Sequence, residues 1–146
     1  MIQRKQTLFL LAVIIVDILL FFIPFLSYNV DNSSIALFTI LPTQMAPDNI
    51  IYPFIIDCLS IIIAFVTIFL FNKRPLQYKM ANILALLNVF IVGLFFLLNY
   101  NKVGEETKLS YSTGAFLPIL SIVCAFLAAH FIKKDEQLVR STDRIR

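Results

Sequence analysis

Four long apolar runs, each bounded by polar or charged residues, leave this chain few folds to choose from. They cover residues 8–26, 50–71, 80–98 and 115–132. At 1.5 Å rise per residue, ~20 helical residues cross a hydrocarbon core of about 30 Å, and each run comes close to that length. Lipid offers the backbone no hydrogen bonds, so a spanning segment must be a helix or a strand of a closed barrel. Barrel strands alternate apolar and polar residues, and these runs do not. With 60% hydrophobic and 14% charged residues, the chain lies far from soluble globular composition. The expected fold is therefore an all-α integral membrane four-helix bundle forming one domain over residues 1–146. The first run is kept as a span, because "FLSYNV" lacks the small-x-small site of a cleaved secretory signal.

The distribution of basic residues gives an orientation. Arg4, Lys5, Lys73, Arg74, Lys79, Lys133, Lys134, Arg140, Arg144 and Arg146 fall on one side of a four-span chain. Only Lys102 and Lys108 fall on the other. The bias of Lys and Arg toward the cytoplasm puts both termini inside, in a bacterial inner membrane. A net charge of +3 is thus accounted for by topology, and no nucleic-acid partner is expected. The first external segment, residues 27–49, is semi-apolar around "IALFTIL" and reads as a short strand or an interfacial stretch.

The chain also echoes itself. "LSIIIAF" at 59–65 and "LSIVCAF" at 120–126 agree at five of seven positions, and both runs leave the membrane through paired basic residues. "FFIPFLSYN" after the first run rhymes with "FFLLNYN" after the third. Two repeated helical hairpins, related by an axis along the membrane normal, produce such a pattern; so does chance similarity among apolar helices.

Few polar residues enter the spans. Asp17 stands near the middle of the first run, and Asp57 a turn or two below the external end of the second. A mid-span Asp costs roughly 2.5–3.5 kcal/mol to insert, so each should face the bundle interior or water. No Lys or Arg lies in a span to pair with them. One reading is a proton or cation site; the other is interhelical glue, a neutral carboxyl bonded to Asn82 or Asn88, or to Ser60, Thr67 or Ser121. His130 has neither a second ligand nor a nucleophile nearby in sequence. Cys58 and Cys124 read as small apolar fillers. There is no Ser-His-Asp set, Gly-rich phosphate loop or HExxH motif. No catalytic, cofactor-binding or metal-binding residue is assigned, and the chain is not expected to be an enzyme.

The last fourteen residues, "KKDEQLVRSTDRIR", carry eight charges. Wound as a helix continuing the fourth run, they place Leu138, Thr142 and Ile145 on one side and Glu136, Arg140 and Arg144 on another. Five basic and three acidic side chains are too balanced for a polybasic lipid anchor. The tail is either a cytoplasmic amphipathic docking helix, using Glu136, Leu138, Arg140, Asp143, Arg144 and Arg146, or a solvated anchor that enforces orientation.

Met1-Ile2-Gln3-Arg4 with Gln6-Thr7-Leu8 at the start, "GAFLPIL" at 114–120, and Asp135-Glu136, Leu138-Val139-Arg140-Ser141 and Asp143-Arg144-Ile145-Arg146 at the end carry a resemblance. Together with the span spacing, they make the whole chain similar to a family of four-span membrane proteins of unknown function from Bacteroidota. The resemblance implies an inner-membrane location and no activity. Lys5 and Asp17 stand outside it, and no functional residue is carried over.

Two functions are weighed. The first is a non-enzymatic accessory or assembly subunit of a membrane complex, docked through the tail, with lipid and a membrane protein as partners and a homo-oligomer as an option. The second is a small proton-coupled carrier or exporter using Asp17, similar in outline to four-span multidrug exporters but with longer external segments.

Overall fold

The computed structural model describes residues 3–23, 26–30, 33–36, 51–100, 108–111 and 113–143. Four helices form its body: α1 (Gln3–Leu20), α2 (Ile51–Phe69), α3 (Arg74–Tyr100) and α4 (Leu117–Asp143). Three short strands join them: β1 (Leu26–Val30), β2 (Ser33–Ala36) and β3 (Lys108–Tyr111). Proline sets the starts of three helices. Pro53, Pro75 and Pro118 all lie in first turns, where their missing N–H groups had no intrahelical partner to lose.

The helices pack as a ring in which α1 touches α2 and α4, and α3 touches the same two. Neighbours run antiparallel, so both chain ends and the α2–α3 corner share one end of the bundle, and the strands lie at the other. Small residues let the backbones approach: Ala64, Ala81, Ala85, Ala125, Ala128 and Ala129 are all buried. Leu10, Val13 and Leu84 fill the space between them.

Polarity is arranged inside out. Gln6, Asp17, Asp57, Ser60, Thr67, Gln77, Asn88, Ser121 and Asp135 are buried, while Leu8, Phe22, Ile62, Leu86, Leu97 and Phe116 stand each more than half exposed. A soluble domain does not present so continuous an apolar exterior; a bundle solvated by lipid does. The helices α2, α3 and α4 are each long and apolar enough to cross a membrane. The polar opening of α1, "QRKQ", dilutes its hydropathy, and α1 completes the ring as its fourth member. The helical membrane bundle expected from the apolar runs is the fold observed.

Its boundaries differ from that expectation in two places. The first run was expected to span 8–26, but α1 ends at Leu20 and Leu26 already belongs to β1. A proline clashes with the carbonyl four residues before it, and Pro24 follows Leu20 by four. The segment between the second and third runs, expected as a loop, is a 3-10 turn (Leu70–Asn72), Lys73, and the first turns of α3. Leu76, Gln77, Lys79, Met80 and Ala81 are strong helix formers, and they draw the helix back to Arg74. The tail is helical, as expected, as far as Asp143.

The small sheet was only partly foreseen. Its order is β2-β1-β3, all antiparallel, with Ser27 opposite both Ala36 and Ser110. The β1–β2 hairpin is local, whereas the β1–β3 pairing ties the segment after α1 to the segment after α3. Most of "IALFTIL" lies outside the described residues.

Candidate functional site in the bundle interior

The strand-side half of the bundle holds a polar cluster to which every helix contributes. Asp17, fully buried on α1, faces α2 and α4 because those are the two helices beside it. Ser60 Oγ donates to one carboxyl oxygen at 2.7 Å, and Ser121 Oγ donates to the other at 2.6 Å. Asn88 of α3 joins through Ser60: its Nδ2 donates to Ser60 Oγ at 3.1 Å and to its own helix at Leu84 O, 3.2 Å. None of these four side chains is exposed at all. Asp17 also lies closer to the strand end than expected, since α1 stops three residues after it.

The serines are the matching residues of the two echoed segments. Ser60 is the second residue of "LSIIIAF" and Ser121 the second of "LSIVCAF". The alanines four residues on, Ala64 and Ala125, are likewise both fully buried. The repeat has a physical content, because equivalent helices present equivalent hydroxyls to one carboxyl from opposite sides.

Asp57 is different. It lies three residues before Ser60 on the same face of α2, is only 2% exposed, and is within electrostatic reach of Asp17. Among the described residues neither of its carboxyl oxygens has a hydrogen-bond partner, and neither does Asn88 Oδ1. Buried polar groups are nearly always paired, because an unpaired one forfeits its hydration for nothing. Two neighbouring carboxyls thus have unequal surroundings, one held at both oxygens and one held at neither.

The remaining candidates are placed elsewhere. Asn82 is half-buried on α3, and its Nδ2 donates to Tyr78 O at 3.1 Å rather than to a carboxyl. Thr67 Oγ1 donates to Ile63 O within α2, and the Thr67 carbonyl accepts from Gln77 Nε2 at 3.1 Å. Cys58 and Cys124 are unpaired thiols. Among the described residues no group of three or more His, Cys, Asp and Glu is placed to hold a metal. In the tail, Glu136 is half-buried and Leu138 and Val139 are exposed. Arg140 and Asp143 belong to the last turns of α4, and Arg144 and Arg146 lie outside the described residues.

Sequence reasoning missed a second polar junction at the termini end. Asp135, at the root of the tail, is buried and accepts a hydrogen bond from Gln6 of α1. Arg74 of α3 donates from Nη1 to the Asp135 carbonyl at 3.1 Å. The signal was available: Gln6 belongs to the opening motif and Asp135 to the closing one, so the two ends of the chain meet as a clasp.

Fold and site together define a helical membrane protein with a carboxyl-bearing polar interior. The chain belongs to the family described as a domain of unknown function (DUF4293), whose model matches residues 2–145. No curated protein and no solved structure matches it.

The unequal carboxyls lead to opposite mutational outcomes. Asp17→Leu strands two buried hydroxyls, and should lower stability by about 1–3 kcal/mol. Asp57→Leu removes a carboxyl that bonds nothing, and should leave stability unchanged or raise it. Thermal unfolding of the detergent-solubilised protein reads both; equal losses at the two positions contradict the assignment.

Proposed function

We propose that this protein is a four-span, non-enzymatic protein of a bacterial inner membrane whose working part is the Asp17–Asp57 pair, through which it carries protons. The observation that supports this is Asp57, a buried carboxyl whose two oxygens have no partner among the described residues, beside a second carboxyl that is bonded at both oxygens. Interhelical glue accounts for Asp17 and does not account for Asp57. Insertion of an acid into a membrane span is costly, which makes a proton relay or ion pathway the first hypothesis for one that packing does not explain. Two neighbouring carboxyls bind and release protons as a coupled unit. In this reading Asp57 takes the proton, Asp17 is the neighbouring carboxyl held in place, and Ser60, Ser121 and Asn88 orient it. Reconstituted in vesicles with a lumenal pH dye, the protein should acidify or alkalinise the lumen when a potassium diffusion potential is applied. Asp57→Asn should abolish that flux while the protein stays folded; flux equal to wild type in this variant removes the proposal.

The orientation that goes with it has both termini and the α2–α3 corner in the cytoplasm and the strands outside, supported by ten basic residues against two. Reporters fused after Arg146, or inserted at Lys73, should read cytoplasmic, and those in 37–48 or 101–107 external. A single reversed position breaks the four-span topology.

A second reading, an accessory subunit docked through its tail, has its own support. α4 continues unbroken for three turns past Ile132, is clasped at Asp135, and presents Leu138 and Val139 exposed. A bidentate fork to a carboxylate distinguishes Arg from Lys. Paired Arg140→Lys and Arg144→Lys changes should release a co-purifying membrane protein if the tail docks. Purification as a lone chain in mild detergent, before and after the change, speaks against docking.

A further inference from the structure

A groove of about 580 Å³ opens between α3 and α4 toward the termini end, on the outer surface of the bundle and away from the carboxyl cluster. Its lining changes character with depth. Lys133, His130 and Tyr78 line it near the end of the bundle; Asn82 lies one turn further in, and Val123 and Phe126 line the apolar stretch beyond. On α4 the spacing 123, 126, 130, 133 is a single stripe along one helix face, and on α3 the pair 78 and 82 is one turn apart. Ala129 forms part of the floor and is itself buried against the α3 side with Ala81, so its lack of a long side chain helps keep the groove open.

We propose that this groove is a binding site for an anionic phospholipid. Its charge and its polarity gradient both fit that one occupant. A phosphate needs donors and positive charge at the membrane surface, and Lys133 supplies an ammonium, His130 a ring N–H, Tyr78 a hydroxyl and Asn82 its second amide N–H. Asn82 uses only one of its two N–H groups on Tyr78 O. An acyl chain needs an apolar track running inward from the phosphate, and the exposed faces of Phe126 and Val123 provide it. Glu136, the nearest tail carboxylate on that side of α4, is not part of the lining. A soluble anion finds no use for the apolar track, and a zwitterionic lipid brings, with its phosphate, a quaternary ammonium that the Lys133 charge repels.

The test is native mass spectrometry of the full chain, extracted in mild detergent and exposed to mixed micelles of phosphatidylglycerol and phosphatidylcholine of equal acyl composition. Phosphatidylglycerol adducts should dominate. Lys133→Gln should cut their share roughly fivefold, and adding His130→Gln, which removes a ring N–H donor, should cut it further. Lys5→Gln, which removes an exposed charge on α1 at the same end, should leave the share unchanged. Val123→Asn, placed on the acyl track, should weaken both lipids without altering the headgroup preference. Equal retention of the two lipids by wild type overturns the proposal, as does an equal loss in Lys5→Gln. Thermal unfolding of each variant separates a lost site from a lost fold: a groove variant that unfolds early is replaced by Lys133→Gln alone, and persistence of the preference there also overturns it.

Discussion

A carboxyl group inside a lipid-solvated bundle must find every partner within the protein, and Asp17 finds two. Each of its oxygens accepts one serine hydroxyl, from α2 on one side and α4 on the other. That requirement constrains much else. The two serines must face the axis at one depth, and α2 and α4 run in the same direction on either side of α1. The alanines one turn on must be small, or the helices stand too far apart for a hydroxyl to reach. Without a hydrophobic force drawing helices together in lipid, such contacts and close van der Waals packing are what select one arrangement among many.

The termini end solves a different problem. There Gln6, Arg74 and Asp135 join α1, α3 and α4 with hydrogen bonds, beside the small-residue packing of Ala81 on Ala129. Stacking of Phe9 on Phe131, with ring centroids 5.4 Å apart, lies one turn inward and seals the junction from the lipid side. The clasp makes the root of the tail part of the bundle, and α4 continues past it as an unbroken helix to Asp143.

Much of this was legible in the sequence, for reasons that differ by scale. Helix number and class followed from hydropathy, since a run of apolar residues has only one way to satisfy its backbone in lipid. Helix ends were less legible, because they depend on local chemistry: Pro24 shortened α1, and Pro75 with good helix formers lengthened α3 at the expense of a loop. The sheet escaped because strand pairing is non-local; nothing in "LSYNV" announces a partner some eighty residues on in "KLSY". Ser60 and Ser121 were named as candidate partners of Asp17, but so were Asn82 and Thr67, whose own backbones claim them instead. Choosing among these needed depth and facing, which hydropathy does not supply. The Gln6–Asp135 contact joins residues 129 apart and is visible in sequence only as two polar motifs at opposite ends.

The contrast between the two aspartates carries the most functional weight. Both are buried acids in the same half of the same bundle, and residue type alone assigns them the same role. What separates them is the hydroxyl supply: Ser60 and Ser121 point at Asp17, and among the described residues no donor points at Asp57. An acid held at both oxygens is fixed in position and in hydrogen-bonding state. An acid held at neither can rotate, accept a proton, or pass it on without first breaking a bond. A structural role needs only the first kind of acid, and this interior keeps both. Burial of the second kind costs stability that packing an apolar residue at position 57 would not. That cost has a rationale if the neighbouring pair is used as a pair, with one member anchored and the other free to change its proton.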